Sequence, residues 1–172
     1  MKNRKAIIVG ISSHKLKKNE IIFLKKKKPW GVILFTRNIK NIKQVKKLVL
    51  SIKSCFKDIN YPIMIDEEGG TVSRLGNILD TKIFSSRYFC QLYLKDKKKF
   101  FLHYQIYINS VSSILNEIGI NINTVPVLDV IRKKTHKIIG SRAFSNDPKI
   151  VSIMGKYCVK FFKKNKIANV IK

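Results

Sequence analysis

Acids, cysteines and long apolar runs are all scarce in this chain. Of 172 residues only ten are Asp or Glu and only three are Cys. Cys55, Cys90 and Cys158 are odd in number and form no CxxC or CxxH spacing, which excludes a disulfide framework and a zinc ribbon and points to reduced thiols. No segment approaches the roughly 18 consecutive apolar residues that cross a bilayer. The N-terminal MKNRKAIIVGISS starts with positive charge, but its apolar run Ala6 to Ile11 is too short for a signal peptide and lacks a small-residue cleavage site. The chain therefore reads as cytoplasmic, with no membrane partner. Neither a P-loop nor GxGxxG is present, so no nucleotide cofactor is implied. His14, His103 and His136 share no spacing with one another or with a Ser or Cys nucleophile. No HxH or second Asp pair supports a metal, and no cofactor is assigned.

Basic residues are abundant instead: 36 Lys and Arg against the ten acids leave a formal charge of +26. Such a balance suggests a polyanion, and a stand-alone basic α/β module that binds nucleic acid is the alternative reading. A blander origin competes with it. Lysine far outnumbers arginine, and Lys, Ile and Asn make up about two-fifths of the chain, the skew that A+T-rich codons produce. Arginine, the better reader of bases and phosphates, is the scarce one. The runs Lys25 to Lys28, Lys53/Lys57 and Lys163/Lys164/Lys166 each follow a helical stretch and precede a strand, where lysine complements the negative end of a helix dipole. No specific nucleic-acid partner is assigned.

Short apolar runs alternate with longer stretches of helical period, the signature of βαβ units and a parallel sheet. Strands are expected at Ala6 to Ile11, Gly31 to Phe35, Ile63 to Asp66, the region opening at Asn121, and Ile167 to Ile171. Helices are expected at Lys17 to Lys27, capped by Asn19 or Ser13, then at Asn41 to Phe56 and Phe100 to Ile118. A last helix begins at Asp147-Pro148 and runs to about Lys164, with a good N-cap followed by proline at the first helical position. Asn77 to Ser86 reads as a loop. No linker, repeat or second domain interrupts residues 1–172. A buried parallel strand ordinarily feeds a loop and a helix, so an end at Lys172 reads as a truncated chain.

Four motifs carry the chemistry. GVILFTRNI (Gly31 to Ile39) closes a buried strand on Arg37 and Asn38, which reads as a helix-initiating turn with Arg37 on the surface or at a ligand. IDEEGGTVSRL (Ile65 to Leu75) ends a strand in three acids and two glycines. Adjacent carboxylates raise one another's pKa unless cations, metal or hydroxyl donors compensate, so the cluster is a solvated acidic turn or a ligand site. Strand alternation turns Asp66 and Glu68 the same way and Glu67 the other. PVLDV (Pro126 to Val130) carries a lone acid, Asp129, with a structural or a direct role. GSRAFSNDP (Gly140 to Pro148) delivers Arg142, able to clamp a carboxylate or hydroxyl.

In that order and spacing, the four blocks resemble the N-terminal part of the glycoside hydrolase family 3 β-N-acetylhexosaminidases, cytoplasmic enzymes of peptidoglycan recycling. The resemblance covers nearly the whole chain and implies an incomplete (β/α)8 TIM barrel, about its first five β/α units, since a complete one needs about 250 residues. It implies a retaining hydrolysis of terminal β-linked N-acetylglucosamine, with a saccharide containing that sugar as partner. Asp66 is then a holder of sugar hydroxyls, and Arg74 and Arg142 contact the sugar or order the pocket. Lys172 matches the lysine that opens the family's next block. The family's Asp nucleophile and His acid/base belong to later blocks, so no catalytic residue is assigned here and the chain alone is expected to be inactive. Thr71 stands where the family commonly has a basic residue.

Overall fold

The computed structural model describes residues 4–172. Five parallel strands stand in sequential order: β1 (Lys5–Gly10), β2 (Pro29–Leu34), β3 (Ile63–Ile65), β4 (Ile122–Asn123) and β5 (Ala168–Asn169). Between them run α1 (Lys18–Lys27), α2 (Ile42–Phe56), α3 (Ser86–Lys95), α4 (Lys97–Ile118) and α5 (Pro148–Lys164). This is the α/β fold the alternating pattern predicts. The registers Val32↔Ile63, Leu34↔Ile65 and Ile65↔Asn123 bring the ends of β2, β3 and β4 level, so the loops leaving them converge.

The core follows from the apolar patterning. Val32, Leu34, Ile63 and Ile65 are fully buried, as strands covered on both faces require. The α2 stripe Val45, Leu48, Val49 and Ile52 packs onto them. At the end of the strand order, β1 keeps Ile7 and Ile8 more than two-fifths exposed. Among the described residues no helix is long and apolar enough to cross a membrane.

Helix starts depend on side-chain acceptors. Asn41 caps α2 by accepting from Gln44 N–H, and Asp147 accepts from Lys149 N–H ahead of Pro148 in α5. The start of α1 departs from the expectation. Asn19 lies inside the first turn, and Glu20 takes the N–H groups of Ser12 and Lys17, each at 2.8 Å, in place of a Ser13 or Asn19 cap.

Helix α3 is not apparent in the sequence. It begins with Ser85 accepting from Tyr88 N–H and ends at Asp96, which in turn caps α4 through Lys99 N–H. Its buried residues are only Phe89, Cys90 and Tyr93, and the lysines around Asp96 mask the helical period. Tertiary stacking provides the stability: Phe89 meets Tyr104 at 4.5 Å and Tyr93 meets Phe100 at 5.2 Å.

The last two strands are shorter than expected, because Val125 N–H turns back to the Asn123 carbonyl at 2.9 Å and leaves the regular ladder. Pairing nonetheless continues past them: Val170 N–H reaches the Asn123 carbonyl at 3.1 Å and Lys172 N–H the Pro126 carbonyl at 3.1 Å. Leu128 N–H closes on the Lys172 carbonyl at 2.7 Å. These bonds carry Lys172 alongside β4 and up to the ends of the neighbouring strands.

Gly69 and Gly70 turn the chain away from β3 with φ of +76° and +61°. A Cβ on Gly69 would lie 2.3 Å from the Phe84 carbonyl oxygen and 2.7 Å from the Tyr107 hydroxyl. Gly140 also has positive φ, +42°, but open space around it. Gly140→Ala is therefore expected to cost about 1–2 kcal/mol of left-handed strain. Gly69→Ala adds overpacking to that strain, for a total of roughly 3 kcal/mol or more. Equilibrium denaturation of the two variants checks the difference; equal losses would contradict it.

Candidate functional site at the strand ends

The C-terminal ends of β3, β4 and β5 and the loops after β3 and β4 assemble one charged pocket. Asp66 follows β3 directly. Its Oδ1 accepts from Lys172 Nζ and from the Thr124 hydroxyl, and its Oδ2 from Arg74 Nη2 at 3.3 Å. Lys172 Nζ also stands 2.7 Å from Glu68 Oε1. Arg142 grips Glu68 with two bonds, Nε to Oε2 at 2.8 Å and Nη2 to Oε1 at 3.0 Å. All four residues singled out in the sequence, Asp66, Arg74, Arg142 and Lys172, thus enter a single network, with Glu68 as its second hub.

The alternation expected from the strand is present. Asp66 and Glu68 share Lys172, while Glu67 turns into the loop that follows. There Glu67 is 1% exposed and accepts from the amides of Arg74 (2.6 Å) and Leu75 (2.9 Å) and from the Ser73 and Thr81 hydroxyls. It orders the loop that places Arg74. Asn123 fixes the same turn from β4, its amide group accepting from Glu67 N–H at 3.0 Å and donating to the Glu67 carbonyl at 2.9 Å.

Electrostatics separate Asp66 from Glu67. Burial pushes the Asp66 carboxyl up, but hydrogen bonds from Lys172 and Thr124 and the charges of Lys172 and Arg74 outweigh it and hold the group below its ordinary value of 3.8. Burial dominates at Glu67, whose pKa is raised from 4.5 although four donors partly oppose it. The bonds to Glu68 raise the pKa of the Arg142 guanidinium against its partial burial, with Asp66 and exposed Asp129 adding to the effect. The cluster is therefore charge-compensated and largely buried, which rules out a solvated acidic turn. Among the described residues no three His, Cys, Asp or Glu side chains converge as a metal ion would need. His14, His103 and His136 are exposed, and none bonds to the five charged groups of the pocket.

Thr124 and Asn123 were not legible as site residues. They follow an apolar start like any strand end, and only the register Ile65↔Asn123 sets them beside the acids.

A parallel α/β sheet whose strand C-termini hold paired acids and cations has the pocket position of the α/β enzymes. Residues 4–172 match the model of the glycosyl hydrolase family 3 N terminal domain, and the chain belongs to that family. Beta-hexosaminidase A of Pseudoalteromonas piscicida is 29% identical over 150 residues, which are 83% of this chain and 24% of that protein. A beta-hexosaminidase of Chromobacterium violaceum is 30% identical over 155 residues, 89% of this chain and 42% of that protein. Among solved structures, NagZ from Neisseria gonorrhoeae in complex with N-trifluoroacetyl-D-glucosamine superposes with a TM-score of 0.86 at 26% identity. That match covers 98% of this chain and 50% of the other. The chain thus spans half or less of the length of these relatives.

Glutamine can keep one acceptor oxygen for the loop amides and turn its NH2 to the Thr81 hydroxyl, whose single proton can then pass to Ser73, 2.8 Å away. Glu67→Gln is expected to change stability by less than about 1 kcal/mol, whereas Glu67→Ala leaves buried donors unmet and costs roughly 2–4 kcal/mol. Thermal and urea unfolding of both variants measures this; an equally damaging glutamine would show that the negative charge itself is needed.

The pH response of Asp66 has a definite sign. Its folded value is depressed, so its contribution to stability is complete above 3.8 and is lost as pH falls through the lower folded value. Glu67 acts oppositely, its burial cost easing as pH drops below its raised value. Carboxyl carbon NMR should find Asp66 titrating below the exposed acids and Glu67 above them; the reverse order would refute the assignment.

Proposed function

We propose that this chain forms the first five or so β/α units of the (β/α)8 barrel of a retaining β-N-acetylhexosaminidase. Its substrate is a peptidoglycan fragment ending in β-linked N-acetylglucosamine, met in cytoplasmic recycling of the wall. In this reading Asp66 accepts hydroxyl protons of the sugar, Lys172 and Arg74 donate to its oxygens, and Arg142 holds Glu68 and reaches the ring or its acyl group. No residue of this stretch serves as nucleophile or acid/base, so its part in the reaction is to bind and orient.

The single observation that carries the reading is the place of Asp66. Its carboxylate sits where three strand ends meet, kept ionised by Lys172 and Arg74. Its side chain is still 17% exposed. An ionised acceptor flanked by cationic donors suits vicinal hydroxyls, because each sugar oxygen both donates and accepts. A solved relative of the same fold is a complex with a glucosamine derivative, which supports a saccharide as the ligand.

Ligand-observed NMR or calorimetry with N-acetylglucosamine tests it. The chain should bind weakly, and Asp66→Asn should weaken binding by roughly 10- to 100-fold, the value of a lost charge-assisted hydrogen bond. A chromogenic N-acetylglucosaminide should not be turned over by the 172-residue chain. Undiminished binding in Asp66→Asn would overturn the binding role, and turnover above that variant's level would overturn the assignment of catalysis to other residues.

A further inference from the structure

The end of the sheet opposite the pocket, where strands begin and helices finish, carries charge of one sign. Three of its turns hold an exposed lysine in the left-handed region: Lys28 after α1 (φ +49°), Lys57 after α2 (φ +47°) and Lys166 after α5 (φ +61°). Further exposed lysines flank them at positions 5, 25, 26, 27, 163 and 164. Of the ten acids two lie at this end, Asp58, which is paired with Arg4, and Glu117. The helix dipole accounts for lysine in the last turn of a helix, but not for lysine at the left-handed residue that follows. Glycine or asparagine takes that conformation with less strain. Codon bias does not account for it either, because asparagine codons are as rich in A and T as those of lysine. Three separate turns thus keep a positive charge against the preference of the backbone.

The same end exposes apolar groups. Trp30, the single tryptophan, stands second in β2 and is 41% exposed, and Ile59, two residues after Lys57, is 69% exposed. Hydrogen bonds hold these turns to one another. The Tyr61 hydroxyl donates to the Pro29 carbonyl at 2.9 Å, Lys5 N–H to the Lys28 carbonyl at 2.9 Å, and the Asn121 side-chain amide to the Tyr61 carbonyl at 3.2 Å. Ala168 N–H reaches the Asn121 carbonyl at 2.9 Å and ties in the turn at 163–166. Lysines, indole and isoleucine therefore belong to one connected face.

Lysine is a hydrated point charge suited to diffuse attraction by a charged surface, whereas arginine supplies the bidentate contacts of phosphate and base recognition. Among the described residues Arg4 is the one arginine at this end, and Asp58 engages it. An exposed indole among lysines suits the boundary between lipid headgroups and acyl chains. We infer that this face binds the surface of an anionic phospholipid bilayer, with the lysines drawn to the headgroups, Trp30 and Ile59 entering the interface, and the pocket at the far end left open to solvent. Surface binding needs no spanning helix, and the expectation of no membrane partner rested on apolar length alone. No pocket residue takes part, so the sugar reading stands or falls separately.

Co-sedimentation of the full chain with vesicles of phosphatidylcholine, with and without about one-third phosphatidylglycerol, tests this. The chain should bind the anionic vesicles and not the neutral ones, less tightly as salt is raised, with Trp30 emission moving to shorter wavelength. Asparagine suits the left-handed turns, and the triple variant Lys28→Asn, Lys57→Asn, Lys166→Asn should bind roughly 100-fold more weakly, from about fivefold per lysine. The triple variant Lys133→Asn, Lys134→Asn, Lys137→Asn loses the same charge from an exposed loop on the pocket side and should stay within about threefold of wild type. Trp30→Ser keeps every charge, serves if the first triple variant does not fold, and should weaken binding about tenfold. Failure to bind anionic vesicles, Trp30 emission unmoved on binding, binding unchanged in Trp30→Ser, or equal losses in the two triple variants overturns the proposal. RNA that strips the chain from the vesicles at equal phosphate concentration makes nucleic acid the partner and overturns it too.

Discussion

The pairing of Lys172 with Asp66 and Glu68 is the contact on which the rest of the site depends. Three consecutive carboxylates at one strand end repel each other, and a fold can hold them only if cations or donors are supplied from elsewhere in the chain. Lys172 brings one from the end of β5, Arg142 another from the loop after β4, and Arg74 a third from the loop after β3 itself. Each cation belongs to a different segment, so the ion pairs also tie those segments together at the pocket. Half-buried and hydrogen-bonded, such pairs position groups more than they stabilise the fold.

Glu67 is the complementary case. It carries the same charge on the same strand end, yet it is satisfied by amides and hydroxyls of residues 73–81 and meets no cation. The period-two alternation of a strand accounts for this division of labour. Outward acids face the pocket, and the inward one becomes an acceptor for a loop that would otherwise bury unmet N–H groups. Gly69 and Gly70 make this geometry possible by packing their backbone against Phe84 and Ser85 with no room for a side chain.

The large positive charge bears on the site less than its size suggests. Lys25, Lys26 and Lys27 close α1, Lys53 closes α2, and Lys163 and Lys164 close α5, all at helix ends opposite the strand C-termini. Lysines there complement helix dipoles. Arg74, Arg142 and Lys172 at the pocket, two of them arginines in a chain poor in arginine, instead have fixed carboxylate partners there.

Local signals determined the order of the strands, four of the five α-helices, the α/β class, and the Asp147-Pro148 start of α5. Strand alternation likewise fixed which acids share a direction, and the four blocks identified the family. Tertiary structure alone decided what depends on register or on stacking between elements. Helix α3 exists because its aromatic face meets α4, although its own pattern is broken by lysines. Thr124 reaches Asp66 because β4 lies beside β3, and Lys172 reaches both pocket acids because backbone bonds run on past Pro126. The bond from Arg37 to the Ile11 carbonyl is likewise set by the fold, since the two lie 26 positions apart. Contacts between residues tens of positions apart leave no period in a sequence, and it is such contacts that turn a strand ending in three acids into a pocket.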